Sequence, residues 1–152
     1  MELTIRQINE QDEVPYELLL LADPSKKLVD NYLQNGTCFL ALNNQDAIGV
    51  MVLLPTHPET MEIVNIAVRE DAQGQGVGTQ MLEFAVAFAK QNDIKTLEIG
   101  TANTSVGPLI LYQKCGFRIT GIDKDFFIRH YEEEIYEHGI RCTDMIRLSK
   151  DL

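Results

Sequence analysis

Apolar and polar residues alternate near the start of the chain, in ELTIRQI, and this period of two predicts a first strand. The next stretch, EVPYELLLLADPSKKLVDNYLQNG, has helical spacing. Pro24 in its middle and Gly36 at its end predict two short helices rather than one. Two apolar runs flank the turn-rich NNQD between Thr37 and Pro55 and predict a β-hairpin, which MEIVNIAV follows as a further strand.

The period changes after the glycine-rich stretch that follows this strand. Apolar residues then recur every three or four positions, which predicts an amphipathic helix that ends at KQND. A short strand KTLEIGT, a helix VGPLILYQKCGF that ends at Gly116, and the strands FRITGI and CTDMIRLSK complete the pattern. This order is typical of one mixed α/β domain over residues 1–152. The stretch DKDFFIRHYEEEIYEHGIR has no clear period and receives no assignment.

Composition narrows the classes of function. The net charge of −10 argues against nucleic-acid binding, which usually uses a basic patch. It is compatible with a cationic small substrate, or it serves only to keep the protein soluble. The isolated cysteines Cys38, Cys115 and Cys142, a charged N-terminus and the lack of a long apolar run predict a cytoplasmic protein without membrane association. The histidines show no zinc spacing, so no metal site is expected.

Candidate chemistry begins at the turn between the strand NIAV and the helix after it. Gly74, Gly76 and Gly78 occupy alternate positions there. The first N–H groups of a helix lack partners and attract an anion, and glycines let a phosphate approach the backbone. A Walker loop is excluded because its lysine is missing, and a dinucleotide fingerprint is excluded because Thr79 or Met81 takes the place of its third glycine. A glycine turn without a ligand is the alternative.

Two motifs in order give this turn a context. Gln73, Gly76 and Gly78 fill Q-x-x-G-x-G, and LYQKCGF, from Leu111 to Phe117, fills L-Y-x-x-x-G-F. Over roughly residues 62–117 the chain resembles the GNAT superfamily of N-acetyltransferases. The resemblance implies a central mixed sheet flanked by helices, whose fourth and fifth strands splay apart. It also implies acetyl-CoA bound in the gap as the acetyl donor.

The resemblance further implies which residues contact acetyl-CoA. Main-chain groups of Ile66, Ala67 and Val68 would face the acetyl and pantetheine arm. Asn103 would contact the cofactor or cap the following helix, two roles that remain open. The pyrophosphate would be held by the turn and the start of its helix, at Gln73, Gly74, Gln75, Gly76, Val77, Gly78 and Thr79.

Acetyl transfer to an amine needs a neutral amine, a polarised carbonyl and protonation of the leaving thiolate. The N–H near Val68 is the candidate for the carbonyl. By resemblance Tyr112 is the general acid, and Glu98 or Glu62 is the general base unless a water chain replaces both. The alternatives are that Tyr112 only packs and that both glutamates face solvent. A short insertion containing Pro108 precedes Tyr112 and departs from the family pattern.

The sequence therefore predicts an N-acetyltransferase that moves the acetyl group of acetyl-CoA directly to a primary amine of a small molecule or peptide. The alternative is a non-catalytic acyl-CoA-binding module of the same fold. The late stretch from Phe126 to Gly139 either walls the acceptor site or only connects strands. A homodimer is common in the family, and the identity of the acceptor stays open.

Overall fold

The computed structural model describes residues 1–152 and confirms the predicted order of elements. The strands are β1 Leu3–Gln7, β2 Thr37–Asn43, β3 Asp46–His57, β4 Thr60–Val68, β5 Thr96–Ala102, β6 Arg118–Asp123, β7 Tyr136–Glu137, β8 Ile140–Arg141 and β9 Met145–Asp151. The helices are α1 Tyr16–Ala22, α2 Lys26–Asn35, α3 Val77–Gln91, α4 Val106–Lys114 and α5 Phe126–His130, with a 3-10 turn at Glu70–Ala72. None of the helices combines the length and apolar character that a membrane span requires.

Seven strands form one mixed sheet in the order β1-β2-β3-β4-β5-β9-β6. The pairs are antiparallel except for β4 with β5, which run parallel and are joined through α3. The last strand, β9, lies between β5 and β6, so β6 becomes the edge of the sheet. The element order predicted from the sequence does not show this insertion, because it depends on pairing between distant segments.

Two hydrophobic cores lie on opposite faces of the sheet. The alternation within β2 shows the division, since Phe39 and Ala41 enter one core while Cys38, Leu40 and Leu42 enter the other. We call these faces the α3 face and the α1/α2 face, after the helices that cover them. Helix α4 also packs on the α3 face.

The fourth and fifth strands splay apart, as predicted. Pairing between β4 and β5 runs from Thr60 with Thr96 to Ile63 with Ile99 and then stops, although β4 continues to Val68. At the point of separation β4 holds an extra residue, Val64, because Leu53 pairs with Ile63 while the preceding Val52 pairs with Asn65. This β-bulge bends β4 away from β5 and reverses which side chains face each core. The result is a gap whose two walls are β4 and β5.

The stretch that the sequence left unassigned is folded. It contains the short helix α5 and the two-stranded hairpin of β7 and β8. At one end α5 is tied to the start of β9, since Phe127 N–H donates to Thr143 O at 3.0 Å. At the other end the Tyr131 hydroxyl donates to Asp23 at 2.8 Å. The segment therefore runs from β9 to the α1–α2 connection.

Candidate active site

The glycine turn presents a run of free backbone donors. The N–H groups from Gly74 through Thr79 make no hydrogen bond to any protein acceptor, and Gln80 N–H, which donates to Gly76 O, is the first to do so. Helix α3 begins at Val77 without a side-chain cap. Unpaired donors at the positive end of a helix dipole form an anion site. The structure therefore has the donors that a pyrophosphate requires.

The three glycines have different structural roles. Gly74 and Gly76 adopt left-handed backbone conformations, with φ of 76° and 83°, which side chains other than glycine rarely tolerate. Apart from the glycine itself and its chain neighbours, no protein atom lies within 4 Å of the position a Cβ would take at either residue, so that space is open to a ligand. A Cβ at Gly78 would instead lie 3.1 Å from Leu111 Cδ2, so this glycine lets α4 approach α3.

Gln73 supports the turn rather than lining it. Its side-chain amide donates to Val68 O at 2.9 Å, and its backbone N–H donates to Glu70 O at 3.3 Å. The glutamine of Q-x-x-G-x-G therefore ties the turn to the end of β4. The backbone N–H of Gln73, which the resemblance places among the pyrophosphate donors, is already bonded to Glu70 O, so the run of free N–H groups begins at Gly74.

Backbone groups of β4 face the gap at alternate residues. Arg69 N–H donates to Ile48 O of β3 at 2.8 Å. Because hydrogen-bonding directions alternate along a strand, the N–H groups of Ile66 and Val68 point away from β3, into the gap. Ala67 points its polar backbone groups towards β3, and its side chain is buried in the core of the α1/α2 face. The gap is thus lined by N–H groups of Ile66 and Val68 and not by that of Ala67.

The motif L-Y-x-x-x-G-F closes helix α4 and positions Tyr112. Gly116 is left-handed, with φ of 92°, and its N–H donates to Gln113 O at 3.0 Å while Phe117 N–H donates to Tyr112 O at 3.0 Å. This pair of bonds is a Schellman motif. The ring of Phe117 packs beside that of Tyr112, with centroids 6.4 Å apart. Pro108 lies in the first turn of α4, where backbone N–H groups have no partner within the helix, so its lack of an N–H costs no hydrogen bond.

Tyr112 is buried, but its hydroxyl remains available. The residue is 6% exposed and belongs to the core of the α3 face. Its hydroxyl has no hydrogen-bond partner in the protein. The hydroxyl oxygen is not fully enclosed, so a ligand can still reach it. Burial raises the pKa of Tyr112 to about 12, so the phenol stays protonated at neutral pH. Both expected roles, packing and proton donation, are therefore compatible with its position.

Glu62 and Glu98 are direct neighbours in the sheet. They pair in register across β4 and β5, on the α1/α2 face opposite the core residues Met61 and Leu97. Arg147 of β9 lies 3.5 Å from Glu62, and Thr56 donates to Glu98 at 3.4 Å. Burial raises the pKa of Glu62, with Arg147 opposing the rise and the charge of Glu98 adding to it. Neither glutamate simply faces solvent, since both are half-buried.

The Asn103 side chain is bonded within the protein and does not cap α4. Its side-chain oxygen accepts from Thr143 N–H at 2.9 Å and Asp144 N–H at 3.2 Å, and its amide donates to Arg141 O at 3.3 Å. It therefore holds the connection between β8 and β9. The N-cap of α4 is Ser105, whose side chain makes no capping bond.

A polar cluster that the sequence analysis missed lies on the α1/α2 face. The Asp23 cluster consists of Asp23, Tyr32, Asn65 and Tyr131, which come from the α1–α2 connection, α2, β4 and the residue after α5. Tyr32 contacts Asp23 at 3.2 Å and Asn65 at 2.8 Å. One signal was available, because Asn65 interrupts the apolar run of MEIVNIAV. The other members are far apart in sequence, and no spacing links them.

Comparison with known proteins decides which family this arrangement represents. A family model described as the acetyltransferase (GNAT) family matches residues 4–117. The chain belongs to the GNAT family. The resemblance inferred from the two motifs is thereby confirmed, and this GNAT protein is an acetyl-CoA-dependent acyltransferase.

Similarity extends over nearly the whole GNAT chain. An uncharacterized N-acetyltransferase of Bacillus subtilis (strain 168), YvbK, is 53% identical over 151 residues, covering 99% of this chain and 97% of the relative. A GNAT family acetyltransferase from Elizabethkingia anophelis, solved with acetyl-CoA bound, has a TM-score of 0.97 and 52% identity over 99% of this chain and 98% of that one. A Bacillus subtilis acetyltransferase solved in complex with CoA has a TM-score of 0.93 and 53% identity, with 99% of both chains covered.

Proposed function

We propose that this GNAT protein transfers the acetyl group of acetyl-CoA directly to a primary amine of a small molecule or peptide. The observation that carries the proposal is the unbroken run of free N–H groups from Gly74 to Thr79. This run lies at the end of the gap in which β4 and β5 no longer pair. The two similar structures with CoA or acetyl-CoA bound support it. Acetyl-CoA supplies an activated thioester. The chain itself binds and orients the two substrates and transfers the protons.

Binding is assigned to the turn and to the gap wall. The amides of Gly74, Gln75, Gly76, Val77, Gly78 and Thr79 hold the pyrophosphate. The N–H groups of Ile66 and Val68 point into the gap, where they bind the pantetheine arm and polarise the thioester carbonyl. A backbone donor fixed by a sheet needs no reorganisation as charge develops on that oxygen, which favours catalysis.

Proton transfer is assigned to two side chains. Tyr112 donates the proton that the leaving thiolate takes up, because its hydroxyl is protonated and has no competing partner in the protein. Glu62 is the better candidate for the base, because burial raises its pKa towards the range in which a carboxylate accepts a proton from an amine. Glu98, directly opposite, serves as its partner or substitute.

The cellular setting and self-association follow from other parts of the molecule. All three cysteines are free, which supports the reducing environment of the cytoplasm.

The edge strand β6 exposes Ile119 and Ile122, at 51% and 68%, and an open edge of this kind can pair with a second copy. We expect a dimer in analytical ultracentrifugation that Ile122→Lys dissociates. A monomeric parent protein would contradict this.

Thiol release tests the proposed activity. Purified protein with acetyl-CoA and a panel of primary amines should release CoA thiol only when an acceptor amine is present, and mass spectrometry should find the acetylated amine. The same mixture without protein serves as the control for non-enzymatic transfer. A protein that binds CoA but acetylates no amine would support the non-catalytic binding module instead.

A further inference from the structure

Arg147 extends from the middle of β9 towards the paired glutamates of β4 and β5. Its Nη1 atom lies 3.5 Å from Glu62 Oε2, and its Nη2 atom lies 3.4 Å from Asp123 Oδ2. In the sheet order β4-β5-β9-β6, Glu62 is two strands to one side of Arg147 and Asp123 is one strand to the other. One guanidinium therefore contacts acids on both sides of its own strand.

The neighbouring strands leave room for this side chain. Arg147 pairs across the sheet with Gly100 of β5 and with Gly121 of β6, and neither residue has a side chain. Side chains of directly paired residues share one face of a sheet and lie close together. Because both partners are glycines, neither flanking strand crowds the arginine, and its side chain can extend to Glu62.

The stretch around α5 holds the guanidinium in this position. The Phe126 ring lies 5.5 Å from the guanidinium carbon of Arg147, a cation–π contact. Arg129 of the same helix donates to Asp123 Oδ1 at 2.7 Å, so the second acid that Arg147 contacts is itself fixed. The stretch that the sequence left unassigned therefore sets the orientation of Arg147.

Two charged groups act on the Glu62 carboxylate. Arg147 approaches it from β9, and Glu98 pairs with it on β5. Its neighbour on β3 is the uncharged Leu54, and the titratable residue at the end of that strand, His57, is exposed. Burial raises the pKa of Glu62, Arg147 lowers it, and the charge of Glu98 adds to the rise. Arg147 is thus the group that favours the ionised form, which a proton acceptor needs.

We propose that Arg147 is the positioning residue of the proton acceptor, and that its guanidinium keeps the Glu62 carboxylate ionised and fixes its orientation. The proposal rests on the proposed acetyl transfer, in which Glu62 is the base. Arg147 acts through Glu62 and not on the reacting atoms. Phe126 and Asp123 support the reaction indirectly, because they hold Arg147 in place.

Arg147→Gln tests the proposal, and Arg118→Gln is the matched control. Arg118 lies on the same face of the neighbouring strand, opposite Ser149, but it is exposed and has no salt-bridge partner. The measurement is a titration of the Glu62 carboxyl carbon by nuclear magnetic resonance, with the signal assigned by its loss in Glu62→Gln.

Removal of the guanidinium should move the titration midpoint of Glu62 upwards. An opposite charge within about 4–6 Å lowers the pKa of a carboxyl group by roughly 1–3. Arg147→Gln should therefore raise the midpoint by at least ~1 pH unit, and Arg118→Gln should leave it in place. An unchanged midpoint in folded Arg147→Gln would overturn the proposal.

The pH profile of kcat separates this role from a purely structural one. The rate rises with pH as Glu62 loses its proton, so a higher midpoint displaces the acidic limb of Arg147→Gln to higher pH. Loss of structure alone would lower the rate equally at every pH. Arg147→Lys keeps the charge and should restore at least half of the displacement. A limb that stays in place in Arg147→Gln, or equal displacement in both variants, would contradict the role of Arg147.

A measurement on the unaltered protein decides if Arg147→Gln does not fold. The guanidinium nitrogen signals of Arg147 should change at the same pH as the Glu62 carboxyl carbon, because the two groups are in contact. Asp123 titrates separately, since Arg129 and Arg147 hold its pKa below the usual range while burial raises that of Glu62. Arg147 signals that do not change through the Glu62 midpoint would overturn the proposal.

The two levels of the proposal fail in different ways. If amines are acetylated but the Glu62 midpoint is the same in Arg147→Gln and wild type, the role of Arg147 is wrong and the activity stands. If the midpoint moves but no amine releases thiol from acetyl-CoA, Arg147 does control the ionisation of Glu62 and the proposed activity is wrong.

Discussion

The glycine turn and the Asp23 cluster are built in opposite ways on opposite faces of one sheet. The turn is a single stretch of chain, and it offers only backbone N–H donors to a ligand. The cluster joins residues as far as 108 positions apart, and its hydrogen bonds run between side chains inside the protein. The turn suits an anion, as a phosphate-bearing donor requires, whereas the cluster binds four separate parts of the chain to one another.

This difference teaches which of the two regions depends on side-chain identity. Backbone donors survive most substitutions so long as Gly74 and Gly76 keep their left-handed conformations. The Asp23 cluster depends on each of its side chains, because removing one partner leaves another buried polar group unsatisfied. The turn is therefore less sensitive to side-chain substitution than the Asp23 cluster.

The largest expected effect is at the turn, from Gly76→Asp. The new carboxylate would occupy the open space above the free N–H groups and repel a pyrophosphate. Loss of two hydrogen bonds to a charged group at about 2 kcal/mol each predicts ~1000-fold weaker CoA binding by calorimetry. Gly139→Asp is the matched control, since Gly139 is also left-handed, with φ of 74°, and has no neighbouring atom within 4 Å of the added Cβ. Equal CoA affinity in folded Gly76→Asp and wild type would contradict the assignment of the turn.

Tyr112→Phe should act on chemistry and leave donor binding intact. Loss of a positioned acid predicts a fall in kcat of ~100-fold, measured by thiol release. The Tyr112 hydroxyl bonds to no protein group, so the melting temperature should hardly change. Because the pKa of Tyr112 is about 12, the wild-type rate should show no loss from this group up to pH values well above neutral. Equal kcat values, with chemistry rate-limiting, would leave Tyr112 as a packing residue.

Glu62→Gln should have a smaller effect on the rate. A base works only when deprotonated, so the wild-type rate should rise with pH through the raised pKa of Glu62. Glutamine cannot take the proton, so the part of this acidic limb that Glu62 causes should disappear from the pH profile. We expect kcat to fall roughly tenfold, less than the ~100-fold typical of a lone base, because Glu98 lies directly opposite. Glu98→Gln is the matched variant. If the acidic limb of the pH profile is unchanged in Glu62→Gln, Glu62 is not the base.

Asn103→Ala should lower stability without changing CoA affinity. This result would place Asn103 outside the acetyl-CoA site. It removes three hydrogen bonds to the β8–β9 connection. Because Asn103 is exposed, the loss should be only ~1–2 kcal/mol in the free energy of unfolding, measured by urea denaturation. CoA affinity should not change. A weakened affinity without loss of stability would restore the cofactor contact expected from the sequence.

Much of the fold could be predicted because its signals are local. The bounds of α3 follow from a change of period after Gly76, and the end of α4 follows from Gly116, which closes a Schellman motif. The stretch around α5 could not be assigned, since its aromatic residues pack against distant partners. Phe126 lies under Arg147 of β9, at 5.5 Å from the guanidinium carbon to the ring centroid. A short helix held by such contacts has almost no intrinsic signal.

The sequence by itself determined the family, the donor turn and the positions of Tyr112, Glu62 and Glu98, because each belongs to a contiguous motif or strand. Only the tertiary structure decided that Glu62 and Glu98 are neighbours, that Asn103 holds a loop, and that the Asp23 cluster exists at all. The physical reason is that a run of N–H groups needs only local backbone geometry. A cluster of buried polar side chains needs several elements to fold against one another, and which residues then meet is set by packing over the whole chain.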